Sequence, residues 1–255
     1  MTQIQVVKDP RSLMQELNTV FTKPPDDSGI LQGVRKFRSG LPHVRVVHFP
    51  SPKNGGNFIP CEGRLEAKLA LALEVDPEVL AYRTQPFLFP GPNGRNLVCD
   101  FAVKWKNHSY SILDVKPEGQ LNRPSVMERA MYVRAFMERL EIPYRQITEK
   151  DLEFEPLLSI RMQLNKGSHV VLTKYEREVL MGILREGPMT LGALRQAASL
   201  AGCPVMSPEA LVLSEDVLFP IGAPLRESTL LGANHGTHSS TSDGWGSIRN
   251  ARLPL

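Results

Sequence analysis

The chain has 255 residues, of which 42% are hydrophobic and 22% are charged, a composition typical of a globular protein with one large or two modest domains. Its three cysteines, Cys61, Cys99 and Cys203, have no paired spacing, which argues against a disulfide framework and a zinc site and indicates a reducing cytoplasm. No apolar run approaches membrane-spanning length, the first residues lack a signal-peptide pattern, and the net charge of +3 gives weak support for a polyanionic partner.

Residues 1–60 are predicted to form a basic N-terminal arm that is irregular apart from a short strand at residues 44–49. No acidic residue occurs between Ser28 and Cys61. That interval contains the basic residues Arg35, Lys36, Arg38, Arg45 and Lys53. A stretch of this charge can follow a phosphate backbone, so Arg35, Lys36 and Arg38 are candidate DNA contacts. A solvated arm without a ligand explains the same pattern equally well.

Residues 61–168 are predicted to form an α/β domain. Apolar spacing predicts a helix from about Glu62 to Asp76. Strands are predicted at residues 80–88, 97–105, 109–116 and 144–147, and helices at residues 124–140 and 149–163. The two middle strands form a hairpin, and the order helix, three strands, helix, strand predicts a mixed sheet covered by helices. The helix from residue 124 is predicted to bury Met127, Ala130, Met131, Phe136 and Leu140.

The C-terminal part has a different character. Helices are predicted at residues 174–186, at 191–201 and from 207, followed by short strands at 217–221 and 229–231. This order predicts a winged-helix-like module over residues 169–231. Residues 232–255 are rich in Gly and Ser and are predicted to be a flexible tail. His235 and His238 have the spacing of metal ligands but lie in that tail, where nothing is expected to hold them.

The segment from Asp100 to Lys116 carries the strongest chemical signal. Strand side chains alternate between faces, so Asp114 and Lys116 share one side of their strand. Asp100 lies among apolar residues of the neighbouring strand. Two carboxylates can hold Mg²⁺ while a lysine orients or deprotonates the attacking water, which predicts metal-dependent phosphodiester cleavage. This requires Asp100 and Lys116 on one side of the sheet; a turn cap or a solvated ion pair is the alternative.

A third carboxylate is expected from the helix that precedes the strands. Glu62 and Glu66 lie four residues apart, so the prediction places them on one helix face from which both could approach the sheet. Glu66 directly precedes the regular apolar spacing, which fixes its position relative to the core better than that of Glu62. Both glutamates stay open as candidates, with Glu66 preferred.

Several short motifs follow one another between residues 60 and 155. They are Leu65-Glu66, Arg83-Thr84-Gln85-Pro86, Asp100-Phe101, Asp114-Val115-Lys116-Pro117 and Ile142-Pro143-Tyr144. As an ordered set they resemble the TnsA endonuclease subunit of bacterial heteromeric transposases. The resemblance implies a restriction-endonuclease-like fold with Glu66, Asp100, Asp114 and Lys116 as the catalytic set. It further implies Mg²⁺, replaceable by Mn²⁺, held by the three carboxylates and the Val115 carbonyl.

The resemblance also implies a reaction and its partners. A TnsA-like subunit cleaves the 5′ ends of a mobile element in double-stranded DNA, while a DDE-type transposase subunit cuts and joins the 3′ ends. An AAA+ ATPase regulator is expected to contact the C-terminal domain, and no membrane partner is expected. Two alternatives stay open: a stand-alone restriction or repair nuclease of the same fold, and a catalytically silent DNA-binding scaffold.

Overall fold

The computed structural model describes Val7, residues 9–35, residues 46–234 and residues 245–246. These described residues divide into two compact units. The first unit contains the described residues up to 73 and from 78 to 152, and the second contains Glu74–Pro77 and the described residues from 153 onwards. No helix in the described ranges is long and apolar enough to cross a bilayer.

The first unit combines helices with short strands. Its helices are α1 (Pro10–Thr22), α2 (Arg64–Val75, whose last two residues belong to the second unit), α3 (Pro124–Glu138) and α4 (Glu149–Leu152). Its strands are β1 (Val46–Ser51), β2 (Asn57–Glu62), β3 (Val79–Thr84), β4 (Phe89–Pro90), β5 (Asn96–Leu97), β6 (Phe101–Trp105), β7 (Tyr110–Val115) and β8 (Tyr144–Ile147). Short 3₁₀ turns lie at Pro52–Asn54, Pro92–Gly94 and Glu118–Gln120.

A mixed sheet forms the centre of the first unit. Among the described residues its strand order is β3-β6-β7-β8. The β3–β6 and β6–β7 pairs are antiparallel, and the β7–β8 pair is parallel. β1 pairs with β2, and β4 pairs with β5, in separate antiparallel ribbons. The predicted mixed α/β class, with helices flanking a mixed sheet, is confirmed, as are the hairpin before residue 116 and the strand at 144–147.

The prediction of an irregular N-terminal arm is wrong over α1 and β2. Asp9 caps α1 because its carboxylate accepts from the Ser12 N–H at 2.9 Å, and Pro10 provides a favourable first helical residue. Leu13 and Leu17, four residues apart, are buried on one side of α1. The cap and this spacing were the signals for a helix that sequence analysis did not use.

Of the residues predicted to be buried along α3 and directly after it, Phe136 and Leu140 are buried. Met127 and Met131 are 49% and 70% exposed, so their assignment to the core is wrong. Val133 and Met137 are buried together with Phe136. These residues pack with α1 and one face of the sheet in a single apolar cluster. The cluster also contains Leu13, Leu17, Phe89, Cys99, Ala102, Ile112 and Leu140.

The second unit combines four described helices with a small antiparallel sheet. Its helices are α5 (Leu157–Asn165), α6 (Lys174–Arg185), α7 (Leu191–Leu200) and α8 (Ser207–Leu213). Its strands are β9 (Met189–Thr190), β10 (Val217–Pro220), β11 (Leu230–Ala233) and β12 (Trp245–Gly246), in the sheet order β12-β10-β11-β9. The single helix predicted at 149–163 is wrong, because the chain forms α4 and α5 as separate helices.

The boundary between the units differs from the predicted one at residue 168. Ile160 and Leu164 on α5 belong to the apolar cluster of the second unit, together with Leu180, Leu194 and Leu211. The described chain therefore divides after Leu152. Of the tail predicted from residue 232, the first residues extend β11; His235 and His238 lie outside the described residues.

The N-terminal segment packs closely against the backbone of residues 84–85 at Gly33. A Cβ atom at this position would lie 2.7 Å from Thr84 O and 2.9 Å from Gln85 O, both of them backbone atoms. We expect Gly33→Ala to lower the free energy of unfolding by about 1–3 kcal/mol, because the backbone must shift to admit the methyl group. Urea denaturation followed by circular dichroism measures the change.

Gly119→Ala is the matched control, since a Cβ atom there meets no heavy atom within 4 Å. We expect this control to change the free energy of unfolding by less than about 0.5 kcal/mol. Equal stability of the two variants would contradict the close packing at Gly33.

Candidate active site

The open end of the β6–β7 hairpin holds two carboxylates side by side. The antiparallel register pairs Phe101 with Leu113, so Asp100 and Asp114 are the next facing residues. The backbone N–H of Asp100 donates to Asp114 Oδ1 at 3.0 Å, and the backbone N–H of Val115 donates to Asp100 Oδ2 at 2.7 Å. Each carboxylate thus satisfies a backbone donor of the opposite strand where the regular pairing ends.

Lys116 lies on the same side of the hairpin as Asp100. Its Nζ atom donates to Asp100 Oδ2 at 3.2 Å and to the main-chain carbonyl of Val115 at 2.9 Å. The side chains of Lys116 and Asp100 are 24% and 20% exposed, so the ion pair is partly shielded from solvent. The backbone N–H of Lys116 donates to Ile147 O at 2.9 Å, which fixes the residue beside β8. The ammonium group therefore bridges two oxygens that the resemblance to TnsA implies as metal ligands.

Glu66 brings a carboxylate from the first turn of α2. Its Oε2 atom accepts from the backbone N–H of Glu62 at 2.6 Å. Glu62 is exposed and is the last residue of β2, so the expectation that the two glutamates share a helix face is wrong. The charge of Glu66 interacts with those of Asp100 and Lys116, which favours Glu66 as the helix carboxylate of this site.

The carboxyl groups of Glu66 and Asp100 are both harder to ionise than usual. Burial, with a smaller contribution from the charge of Asp100, raises the pKa of Glu66 to about 8 against the opposing influence of Lys116. Burial and the charge of Asp114 raise the pKa of Asp100, while Lys116 and the hydrogen bond from Val115 lower it. A cation beside these carboxylates would relieve their mutual repulsion.

Asp114 is fully buried, and protein donors occupy its carboxylate. Its Oδ2 atom forms an ion pair with Nη1 of Arg129 and accepts from the Tyr144 hydroxyl at 3.0 Å. Burial and the negative charge of Asp114 raise the pKa of Tyr144, so the hydroxyl keeps its proton and remains a donor. The prediction that Asp114 is itself a metal ligand stays a prediction.

Arg129 and Tyr144 were not among the site residues predicted from the sequence. Arg129 lies four residues before the buried Val133, in phase with the buried side of α3. Tyr144 begins β8, which reaches the site as the parallel neighbour of β7. Arg129 could have been recognised as a charged residue at helical spacing from apolar residues. The wrong assignment of Met127 and Met131 to the core placed it on the opposite side of the helix.

The oxygens at this end of the sheet suit a hard divalent cation. Carboxylates and main-chain carbonyls, as in Glu66, Asp100 and Val115, are ligands that Mg²⁺ and Ca²⁺ accept. Within the described residues, no three acidic, histidine or cysteine side chains are arranged to hold a metal ion by themselves. The Val115 carbonyl would thus complete the set, and the Lys116 ammonium already provides a positive charge between that carbonyl and Asp100.

The predicted DNA contacts are described in part. Arg35 is exposed at the end of a described segment, and Lys36 and Arg38 lie outside the described residues. Comparison of the sequence with models of known protein families finds no match, and comparison with curated proteins finds no similar sequence. The resemblance to TnsA therefore stays a hypothesis that rests on the residues themselves.

The raised pKa of Glu66 predicts a pH-dependent stability. Its pKa is about 8 in the folded protein and about 4.5 when unfolded, so between these values the folded state binds more protons. The free energy of unfolding should therefore fall as pH rises through this window, by at most about 1.4 kcal/mol per pH unit. Glu66→Gln should reduce that slope and stabilise the protein near pH 8. Urea denaturation in the presence of a chelator measures both effects.

Glu138→Gln serves as the control, because Glu138 is exposed on α3. It should leave the pH dependence of the free energy of unfolding as in the wild type. A Glu66→Gln variant with the wild-type slope would contradict the burial of an ionisable carboxyl group at this position.

Proposed function

We propose that the protein is a Mg²⁺-dependent DNA endonuclease of the TnsA type, with Mn²⁺ able to replace Mg²⁺. The observation that carries the proposal is the association of Asp100 and Lys116, with Glu66 close enough to interact with both charges. A carboxyl group with a strongly raised pKa beside a specific charged partner is typical of a functional site. Buried carboxylates that repel each other reduce the stability of the fold, and selection for activity explains why a protein would keep them.

The proposal gives each residue of the site a role. Glu66, Asp100 and the Val115 carbonyl would hold the divalent ion, and Asp114 would orient Asp100 from the adjacent strand. When bound, the ion supplies positive charge against the phosphate and lowers the pKa of a coordinated water. Lys116 can donate to the attacking water or to a phosphoryl oxygen and so screen the negative charge that develops there. Hydrolysis would leave 5′-phosphate and 3′-hydroxyl ends.

The N-terminal arm would contribute DNA contacts next to this site. The N–H of Val34 donates to Gln85 O at 2.9 Å, and the N–H of Gln85 donates to Asp100 O at 2.8 Å. Arg35 follows Val34 directly, so its backbone is tethered a short distance from the residue that would hold the metal. We propose that Arg35, Lys36 and Arg38 contact backbone phosphates, which would supply affinity without base recognition.

We further propose that the enzyme acts in DNA transposition. The enzyme would cleave the non-transferred strands at the 5′ ends of a transposon, together with a DDE-type transposase subunit that processes the 3′ ends. Cleavage of plain duplex DNA without any partner would instead favour a stand-alone repair or restriction nuclease. Failure to bind any divalent ion would favour a silent DNA-binding scaffold.

The second unit supports a proposal about protein docking. Its order α6, β9, α7, α8, β10, β11 matches the order expected of a winged-helix domain, in which α8 would take the position of the DNA-recognition helix. Residues Ser207–Val212 of α8 are all buried, and Gln163 on α5 donates to Glu209 on α8 at 2.8 Å. A helix covered in this way cannot enter a major groove. We therefore propose that this unit binds a protein, the AAA+ regulator, and does not read DNA.

Cleavage assays with substitutions at the hairpin end test the nuclease proposal. In the presence of its transposase partner, transposon-end DNA and Mg²⁺, Asp100→Asn and Lys116→Ala should each slow strand cleavage at least about a hundredfold. The first change removes a carboxylate charge from the predicted metal site, and the second removes the ammonium group beside the reacting phosphate. Denaturing gel electrophoresis of end-labelled DNA measures the rate.

Lys150→Ala is the matched control for the lysine substitution, because Lys150 is 74% exposed and pairs with Glu118 at the surface. It should cleave at the wild-type rate. Full cleavage by Asp100→Asn would remove this carboxylate from the site and with it the basis of the nuclease proposal.

A further inference from the structure

Arg129 joins segments of the candidate site that are distant in sequence. Its Nη1 atom pairs with Asp114 Oδ2, and its Nη2 atom donates to Val98 O at 2.7 Å. Val98 lies two residues before Asp100, and the N–H of Asp100 donates to the other oxygen of Asp114 at 3.0 Å. The contacts therefore form a closed circuit from Arg129 through Asp114 to Asp100 and back through Val98. We call these four residues the Arg129 clamp.

The chemistry of the clamp suits a guanidinium group in particular. Arginine presents its N–H groups in a planar fork, so one side chain can bond a carboxylate and a carbonyl in fixed directions. A lysine ammonium is a compact charge on a flexible chain and does not impose that geometry. Asp114 is fully buried and needs a charged partner, whereas the Arg129 side chain is 27% exposed and stays mostly shielded.

We infer that Arg129 is a positioning residue that orients Asp100 through Asp114. The inference rests on the proposed function, because Asp100 is catalytic within that proposal. While Arg129 holds Asp114 Oδ2 and Val98 O, the opposite oxygen of Asp114 remains directed at the Asp100 N–H. The Asp100 backbone is then fixed from both sides, and its carboxylate keeps its place beside Lys116. If Asp114 were itself a metal ligand, Arg129 would have to release it, and loss of Arg129 would favour metal binding.

Backbone amide exchange in the metal-free protein tests the clamp without reference to activity. Arg129→Gln should reduce the protection of the Asp100 N–H at least about tenfold, because Asp114 is no longer held in place to accept from it. The N–H of Val103, in the middle of β6, should change by less than about twofold. Arg134→Gln is the matched control, since Arg134 is exposed on the same helix. It should leave both amides unchanged in the NMR measurement.

Cleavage kinetics with transposon-end DNA, Mg²⁺ and the transposase partner provide the second measurement. Arg129→Gln should lower kcat on the order of a hundredfold, with KM for DNA within about twofold of the wild type, because orientation and not binding is lost. Arg129→Lys should fail to restore kcat. In an Asp114→Asn background, Arg129→Gln should cause little further loss, because the arginine acts through that carboxylate.

Several outcomes would overturn the inference. These are unchanged protection at Asp100, equal loss of protection at Val103, and a raised KM for DNA with kcat unchanged, which would indicate a direct phosphate contact. Tighter Mn²⁺ binding by Arg129→Gln would likewise favour Asp114 as a ligand over the positioning role.

Should Arg129→Gln not fold, Tyr144→Phe removes a second donor to the Asp114 carboxylate and should also reduce the protection of the Asp100 N–H. If the wild-type protein cleaves no transposon-end DNA with Mg²⁺ and its transposase partner, the proposed function is contradicted, while the exchange result still decides the clamp.

Discussion

The reciprocal hydrogen bonds between Asp100 and the strand that carries Asp114 are the contacts on which the rest of the site depends. The Asp100 N–H donates to Asp114, and the Val115 N–H donates to Asp100, where the β6–β7 pairing ends. These bonds satisfy backbone donors that would otherwise be buried without partners. They also draw two carboxylates into a poorly solvated region, where each needs a cation. Lys116 forms an ion pair with Asp100, and Arg129 forms an ion pair with Asp114.

Adding Glu66 to this pair makes the local charge balance unfavourable. Burial raises the pKa values of both Glu66 and Asp100, and Lys116 opposes the shift only in part. Ionising both groups in the metal-free protein therefore costs free energy that the rest of the fold must offset. A site with this property gains most from a bound cation, which links its stability to its proposed chemistry.

Much of this arrangement follows from local sequence patterns. Strand alternation and turn residues predict the hairpin that carries Asp100 and Lys116, and helical spacing brings Glu66 forward as a candidate. The N-terminal helix α1 was within reach of the same reasoning, because Asp9 and Pro10 precede Leu13 and Leu17 at helical spacing. It was missed because the prediction gave more weight to the basic, proline and glycine residues that follow it.

Other parts depend on tertiary packing that local patterns do not encode. Arg129 and Tyr144 reach Asp114 because α3 packs on the sheet and β8 joins β7 in parallel, across separations of 15 and 30 residues. If Met127 and Met131 had faced the core, α3 would have turned Arg129 away from the sheet. Likewise, Glu62 belongs to β2 because that strand pairs with β1, a contact between segments that no local periodicity announces.

Anomalous diffraction from crystals soaked in Mn²⁺ can show directly whether a divalent ion binds at the end of the β6–β7 hairpin. We expect an anomalous peak beside the Asp100 carboxylate and the Val115 carbonyl, with the Lys116 ammonium displaced from between them. Crystals that bind Mn²⁺ elsewhere but show no peak at this position, with Lys116 keeping both hydrogen bonds, would contradict the proposed metal site.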